Sequence, residues 1–447
     1  MLACRGIARE RPVFALSIPA PPEYADTHLH ENLTAVLRPI PHNERLADVR
    51  YDIRGPLHAR ALDLEQQGKS IIRLNIGNPG RFGFEAPAHV REAIATHLKD
   101  SEAYCHQGGL TEAREAIVEV MHARGVREVD QTHVFVGNGV SELIDMALRG
   151  LLNPGDEVLV PAPDYPLWTA AVILNDGQPV HYPCPPERQG LPDPVEIERM
   201  ISPRTRAIVI INPNNPNGAV YPQALLQRIA ALAEKHRLVV FSDEIYEGLL
   251  YDGAQFHAMA PLVRETLCVT MSGLSKMHRA CGYRVGWMVT SGKVQAARDY
   301  LKSLDLLAAL RLCSNVQGQW AIPAALRGPD THTALCQPGG RLYETRAALL
   351  RAVARSRYLK VVAPMGAMYG FVGVDTRELP GFDDQQFAYD LLDQRQVLIV
   401  PGSSFNVSYH DHFRITLLPE AAVMERVIDQ IDGFVAELAE KSRLRVA

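Results

Sequence analysis

The sequence predicts an α/β protein with a mostly parallel, helix-covered main sheet and a smaller α+β region after it. Three observations carry this. From residue 47 onward, short apolar runs alternate with helix-length amphipathic segments over about 200 residues, the order that builds a parallel sheet. The run from Ala207 to Ile211 is apolar throughout and rich in β-branched residues, as a strand buried on both faces must be. Beyond Arg298 the alternation gives way to a long helical stretch, then to strands and a closing helix.

Taken in order, the apolar run at 70–76 reads as a short strand, and the spacing at 87–98 and 110–124 as two helices. A strand over 132–136 leads through Gly137-Asn138-Gly139 into a helix over 141–152. Strands are expected at 157–161 and 179–182, with a helix over 167–174 between them. The buried strand at 207–211 is followed by a helix at 225–236 and a second buried strand at 238–242. Strands at 266–271 and 284–289 complete the first series. The second comprises a helix at 341–355, strands at 359–362 and 369–373, the segment 397–400, a strand at 413–417 and a helix at 421–438. The expected division is an extension over 1–46, an amino-terminal arm and part of the small domain over 47–86, a large domain over 87–330 and a small domain over 331–447.

Composition narrows the class. With 447 residues, 47% hydrophobic and 22% charged, the chain can bury substantial cores and is not a disordered polymer. No apolar run approaches the ~20 residues that span a bilayer, so no membrane partner is expected. A net charge of −5 offers no global attraction to nucleic acid. Seven cysteines without a C-x-x-C pair read as reduced thiols of a cytoplasmic protein, not as a disulfide framework or zinc site. Residues 1–46 lack a sustained period and read as a disordered or accessory extension. The short His28-Leu-His30 motif there imitates a metal-hydrolase strand, but Pro21 and Pro22 precede it and a solvated tail is the better reading, so no metal is expected.

Polar residues gather where strands are expected to end, the edge at which open α/β sheets bind ligands. Gly137-Asn138-Gly139-Val140-Ser141 opens a helix whose free N–H groups suit a phosphate. As a dinucleotide fingerprint it fails, because Glu142 stands in place of the third glycine, which argues against an NAD enzyme. Asn215-Pro-Asn217-Gly follows one buried strand and Asp243-Glu-Ile-Tyr246 the next. Ser275-Lys276 follows a third, and Gly282-Tyr-Arg284-Val-Gly286 comes shortly after. Singly these are a polar turn, a helix cap and a surface lysine.

In this order they resemble the class I/II aminotransferases of fold type I, over about residue 47 to the end. Within that family, Tyr51-Asp-Ile-Arg54-Gly-Pro, Leu74-Asn-Ile-Gly77-Asn-Pro, Pro163-Asp-Tyr165-Pro-Leu-Trp and Pro338-Gly-Gly-Arg-Leu-Tyr are most similar to the bacterial alanine (glutamate–pyruvate) group. The resemblance implies a seven-stranded, mostly parallel sheet and pyridoxal 5′-phosphate as cofactor. Amino acids and 2-oxo acids would be the substrates, and two subunits would share their sites. It makes Lys276 the amine that joins the cofactor aldehyde and then moves the substrate proton. Asp243 would keep the ring nitrogen protonated, Asn215 and Tyr246 would donate to the ring oxygen, and Tyr165 would stack on the ring. Gly139, Val140, Ser141, Ser275 and Arg284 would hold the phosphate, and Tyr104 would reach that of the neighbouring subunit.

Arg414 matches the arginine that takes the substrate α-carboxylate as a bidentate fork, with Gly77 approaching the same group. By the same resemblance, Tyr51 and Arg54 would lie in the amino-terminal segment that covers the pocket. Arg54 is the candidate for glutamate's second carboxylate, weighed against an ion pair with Asp52 or Glu65. The chain departs from the family at Gly273, where a phosphate-binding serine is common and Ser275 or Ser272 could substitute, and at Asn217, His278 and Gly370. Transamination of valine or another aliphatic or aromatic amino acid is the alternative within the same chemistry. A ligand-sensing regulator would need an amino-terminal DNA-binding domain, for which residues 1–46 are too short.

Overall fold

A computed structural model describes residues 40–446. The expected extension and its His28-Leu-His30 motif lie outside these residues up to position 39; just after, Glu44–Asp48 forms an exposed 3₁₀ turn. Residues 45 onward pack as one unit.

The main sheet has seven strands in the order Val134–Gly137, Gly286–Gly292, Leu267–Gly273, Val239–Asp243, Thr205–Ile211, Glu157–Ala162 and Gln178–Pro183. Only Gly286–Gly292 runs against its neighbours. The period of two shows directly in the central strand. Ile208 and Ile210 enter one core, and Ala207, Val209 and Ile211 enter the core on the opposite face. Helices therefore cover both faces: Gln223–His236 lies on the first, and Val140–Leu151 with Arg298–Leu310 on the second.

A four-stranded antiparallel sheet, ordered Val400–Pro401, His412–Thr416, Tyr369–Val374 and Leu359–Val361, forms the second layer system. It shares a core with helices Pro56–Gln66, Arg341–Arg355, Asp384–Arg395 and Ala421–Val446. The amino-terminal arm is tied in here, because Ile72–Arg73 pairs in parallel with Val397–Leu398.

Most boundaries fall within two residues of expectation; the closing helix runs on to Val446, past the expected 438, and three other departures have physical causes. The strand expected over 70–76 is only two residues long, since its partner offers only two. The segment expected at 397–400 splits, one pair of residues joining the arm and the next pair the antiparallel sheet. The last strand of the main sheet begins at Gly286 and not at 284, because Arg284 adopts φ 53°, outside the extended region.

The site follows from this topology. The carboxyl ends at Gly137, Ile211, Asp243 and Gly273 lie on one edge. The reversed strand starts there, Gly286 pairing with both Gly137 and Gly273, so its preceding residue Arg284 also reaches that edge.

Candidate active site

A cavity of about 560 Å³ opens at this edge. Tyr51, Arg54, Gly77, Val140, Ser141, Tyr165, Asn215, Asp243, Tyr246, Ser275, Lys276, Arg284 and Arg414 line it, so one space collects nearly every residue singled out above. Gly139 caps the adjoining helix, and Tyr104 is 78% exposed away from the cavity.

One end of the cavity is built for an anion. Gly139 caps the helix Val140–Leu151 with φ +84°, a conformation side chains resist. A Cβ there would stand 2.2 Å from Nη2 of Arg284, so the glycine is what lets the guanidinium approach the helix terminus. Arg284 is held by donating to the Asn138 carbonyl (3.2 Å) and the Cys281 carbonyl (3.0 Å). The helix's first N–H groups, its positive dipole end, Ser141, Ser275 and this cation converge. Gly273 cannot carry the serine common elsewhere, because a Cβ would meet the Val285 carbonyl oxygen at 2.7 Å.

Farther in lies a carboxylate without a cationic hydrogen-bond partner. Asp243 is buried, accepting from Trp168 Nε1 (3.1 Å) and more distantly from the Ile245 amide (3.4 Å). Burial pushes its pKa up to about 6, against the opposing pull of these donors and of Lys276. Lys276 donates from Nζ to the Gly77 carbonyl at 2.8 Å. Burial pulls its amine down, but the neighbouring Tyr369, Cys281 and Tyr51 together outweigh this and leave it above its ordinary value.

The opposite charge is also left open. Arg414 is 1% exposed and has no carboxylate partner among the described residues. It donates to Asn215 Oδ1 (3.0 Å) and the Asn75 carbonyl, lies between the rings of Tyr369 and Phe405, and leaves Nε unpartnered. A buried, uncompensated guanidinium is costly and suits a ligand carboxylate. Burial lowers its pKa, though not enough to discharge an arginine. Gly77 must be glycine, since a Cβ would lie 2.1 Å from Tyr369 Oη.

Arg54 is exposed at the cavity and forms no ion pair among the described residues. Of the two carboxylates weighed as its partners, Asp52 accepts from Ser404 Oγ (2.8 Å) and Glu65 is engaged by Arg73.

Two contributors escaped the sequence reading. Tyr369 lines the cavity, receives the Tyr246 hydroxyl hydrogen bond (3.2 Å) and lies under Arg414. Trp168 holds Asp243. Of the expected residues, Tyr51 meets Tyr165 hydroxyl to hydroxyl at 3.1 Å. The available signal for Tyr369 was its strand, which pairs with the strand of Arg414 and places Tyr369 opposite Thr416.

Fold and site together define an amino-group transferase. The family profile described as aminotransferase class I and II matches residues 69–431, and the chain belongs to that family. It is 45% identical over 400 residues to the glutamate-pyruvate aminotransferase AlaA of Escherichia coli K12, covering 90% of this chain and 99% of that one. It is 42% identical over 392 residues to the alanine aminotransferase of Mycobacterium tuberculosis, covering 88% and 91%. The crystal structure of an Escherichia coli aminotransferase superposes with a TM-score of 0.88 at 45% identity, covering 89% of this chain and 99% of that one.

Proposed function

We propose that this aminotransferase exchanges amino groups between L-alanine and 2-oxoglutarate in two half-reactions of ping-pong order, with pyridoxal 5′-phosphate in the cavity. The observation that carries the substrate reading is a pair of arginines without carboxylate partners among the described residues, Arg414 buried and Arg54 exposed. Arg414 serves the α-carboxylate common to both amino acids. Arg54 meets the second carboxylate of glutamate where water already reaches, so alanine leaves no buried charge unpaired when it takes the same place. The names of the Escherichia coli and Mycobacterium tuberculosis relatives support the same pair of substrates.

The residues suit the cofactor. An anionic carboxylate lies at Asp243 and a cationic cradle at Arg284, Ser141, Ser275 and the backbone of Gly139 and Val140, matching a group with a protonatable ring nitrogen and a phosphate. When bound, the pyridine ring supplies an electron sink for the bonding pair released at substrate Cα. Asp243 keeps the ring nitrogen protonated. Asn215, its Oδ1 occupied by Arg414, has Nδ2 left to donate to the ring oxygen, and Tyr246 donates beside it. Tyr165 supplies the stacking face. Lys276 carries the proton taken from substrate Cα, its amine positioned by the Gly77 carbonyl. Tyr51 and Gly77 close around the substrate.

The working unit in this reading is a cytoplasmic homodimer. Leu306, Leu310 and Leu312 are 60%, 73% and 53% exposed, and so is Tyr104 at 78%. Gln107 donates to Asp305 (3.1 Å), tying the Tyr104 segment to this helix and making one apolar face for a second copy. The six cysteines among the described residues are free thiols, in keeping with a reducing compartment.

The direct test is a panel of amino donors assayed against pyruvate and 2-oxoglutarate, with Lys276→Ala as the inactive control. Alanine with 2-oxoglutarate, and glutamate with pyruvate, should give the highest kcat/KM. A clear preference for valine or an aromatic donor would replace the substrate assignment, and an active Lys276→Ala enzyme would remove that residue from the chemistry.

A further inference from the structure

A second cavity, of about 150 Å³, lies between the main sheet and the antiparallel sheet and shares no lining residue with the first. Its walls come from both: Cys184 and Asn217 from loops after main-sheet strands, and Val362, Phe371 and Tyr409 from the other side. An apolar cavity of this size holds one six-membered ring.

The polar groups of this cavity are incompletely used. The Tyr409 hydroxyl is buried and has no hydrogen-bond partner among the described residues. It lies near Cys184, and burial, with Asp411, Cys184 and Glu187 nearby, holds its pKa far above the ordinary value, so it stays a neutral donor. Asn217, the residue that departs from the family's usual threonine, accepts from the Ala219 amide through Oδ1 (2.9 Å). Its Nδ2 lies where a Cβ on Gly190 would stand, at 2.4 Å, on the cavity wall. Lys360 lines the same space with an exposed ammonium. Asp411 opposes an anion, but its carboxylate is already shared between His412 Nδ1 (2.6 Å) and Lys360 (3.7 Å).

The geometry points to a second binding site here, for a small monocarboxylate with an apolar body of about one ring. The body fills the space beside Phe371 and Val362, and the carboxylate accepts from the Tyr409 hydroxyl and from Lys360. A buried donor left without an acceptor is costly, and such a ligand removes that cost. The ligand would touch both sheets, so any difference in its affinity between substrate-free and substrate-bound enzyme returns equally to substrate affinity. The cavity is also close to the catalytic groups through the chain: Asn217 lies two residues beyond Asn215, and Phe371 pairs in register with Arg414.

The test uses 4-bromobenzoate with the holoenzyme. In crystals, an anomalous bromine peak should lie between Phe371 and Val362; a peak confined to the catalytic cavity, or none, overturns the proposal. In solution, the 4-bromobenzoate sites are titrated in an Arg414→Lys background, which weakens carboxylate binding in the catalytic cavity. Tyr409→Phe and Lys360→Met should each weaken binding roughly 10-fold, the scale of one charge-assisted hydrogen bond. Methyl 4-bromobenzoate should bind more weakly than the acid by a similar factor. Val362→Trp, which fills the space, should abolish binding while the enzyme remains folded and active. Unchanged affinity in Tyr409→Phe and Lys360→Met, or equal affinity for acid and ester, overturns the carboxylate assignment.

Discussion

At the scale of single residues, the site is a set of charges left open for a ligand. Asp243 illustrates the consequence for pH. Its folded-state pKa of about 6 lies above the ordinary 3.8, so between those values the cofactor-free folded chain binds a proton that the unfolded chain has lost. Its contribution to stability is therefore complete below about pH 4 and is lost as pH rises to about 6. In the proposed reading cofactor binding runs the other way, because it would need the carboxylate. Affinity for pyridoxal 5′-phosphate should be level above pH 6 and fall about 10-fold per unit below it. In Asp243→Asn it should be weak at every pH, and a wild-type affinity with no break near 6 would remove Asp243 from the cofactor. Arg54→Ala should lower kcat/KM for glutamate and 2-oxoglutarate by roughly 10- to 150-fold, the value of a ~1.5–3 kcal/mol charged hydrogen bond. Alanine and pyruvate should change far less; equal losses for both pairs would make Arg54 structural.

Among elements, the helix Val140–Leu151 and the strand Gly286–Gly292 act as one device. The helix supplies free N–H groups, the turn before the strand supplies Arg284, and Gly139 lets the two meet. Gly139→Ala puts an alanine at φ +84°, ψ 163°, a region held essentially by glycine alone and costing ~1–3 kcal/mol, and a Cβ 2.2 Å from the guanidinium. Cofactor retention on dialysis should fall at least ~10-fold, while the circular dichroism spectrum stays native. An alanine variant that retains cofactor normally would show that the approach of Arg284 is dispensable. These elements were largely legible in the sequence, because buried strands announce themselves by composition and the polar residues that follow them in the chain mark the ligand edge. Tyr369 and Trp168 were not. Each acts on a partner far along the chain, Tyr369 on Tyr246 at a separation of 123 and Trp168 on Asp243 at 75. Trp168 also sits in an apolar helix where it reads as core, and it is core, with one polar atom put to use. The short strands at Ile72–Arg73 and Val397–Leu398 were misjudged for a related reason: strand length is set by the partner, and a local pattern contains no partner.

For the whole molecule, the proposed homodimer would make quaternary structure part of the chemistry, with the exposed leucines 306, 310 and 312 as its apolar face. Leu306→Lys with Leu310→Lys should give a folded monomer by sedimentation that has lost nearly all turnover, since each site would lack its neighbour's Tyr104. A fully active monomer would return Tyr104 to a role within its own chain. Arg414 has a different consequence, one for assembly of the chain in time. Its hydrogen-bond partners Asn215 and Asn75 lie 199 and 339 positions earlier, and its strand is the last of the second sheet to be synthesised. Synthesis proceeds from the amino terminus, and pairings this distant form slowly. The central strands of the main sheet are therefore present well before the guanidinium that completes the catalytic cavity. On dilution from denaturant with cofactor present, helical signal should return before catalytic turnover does, the long-range pairing that seats Arg414 being among the later events.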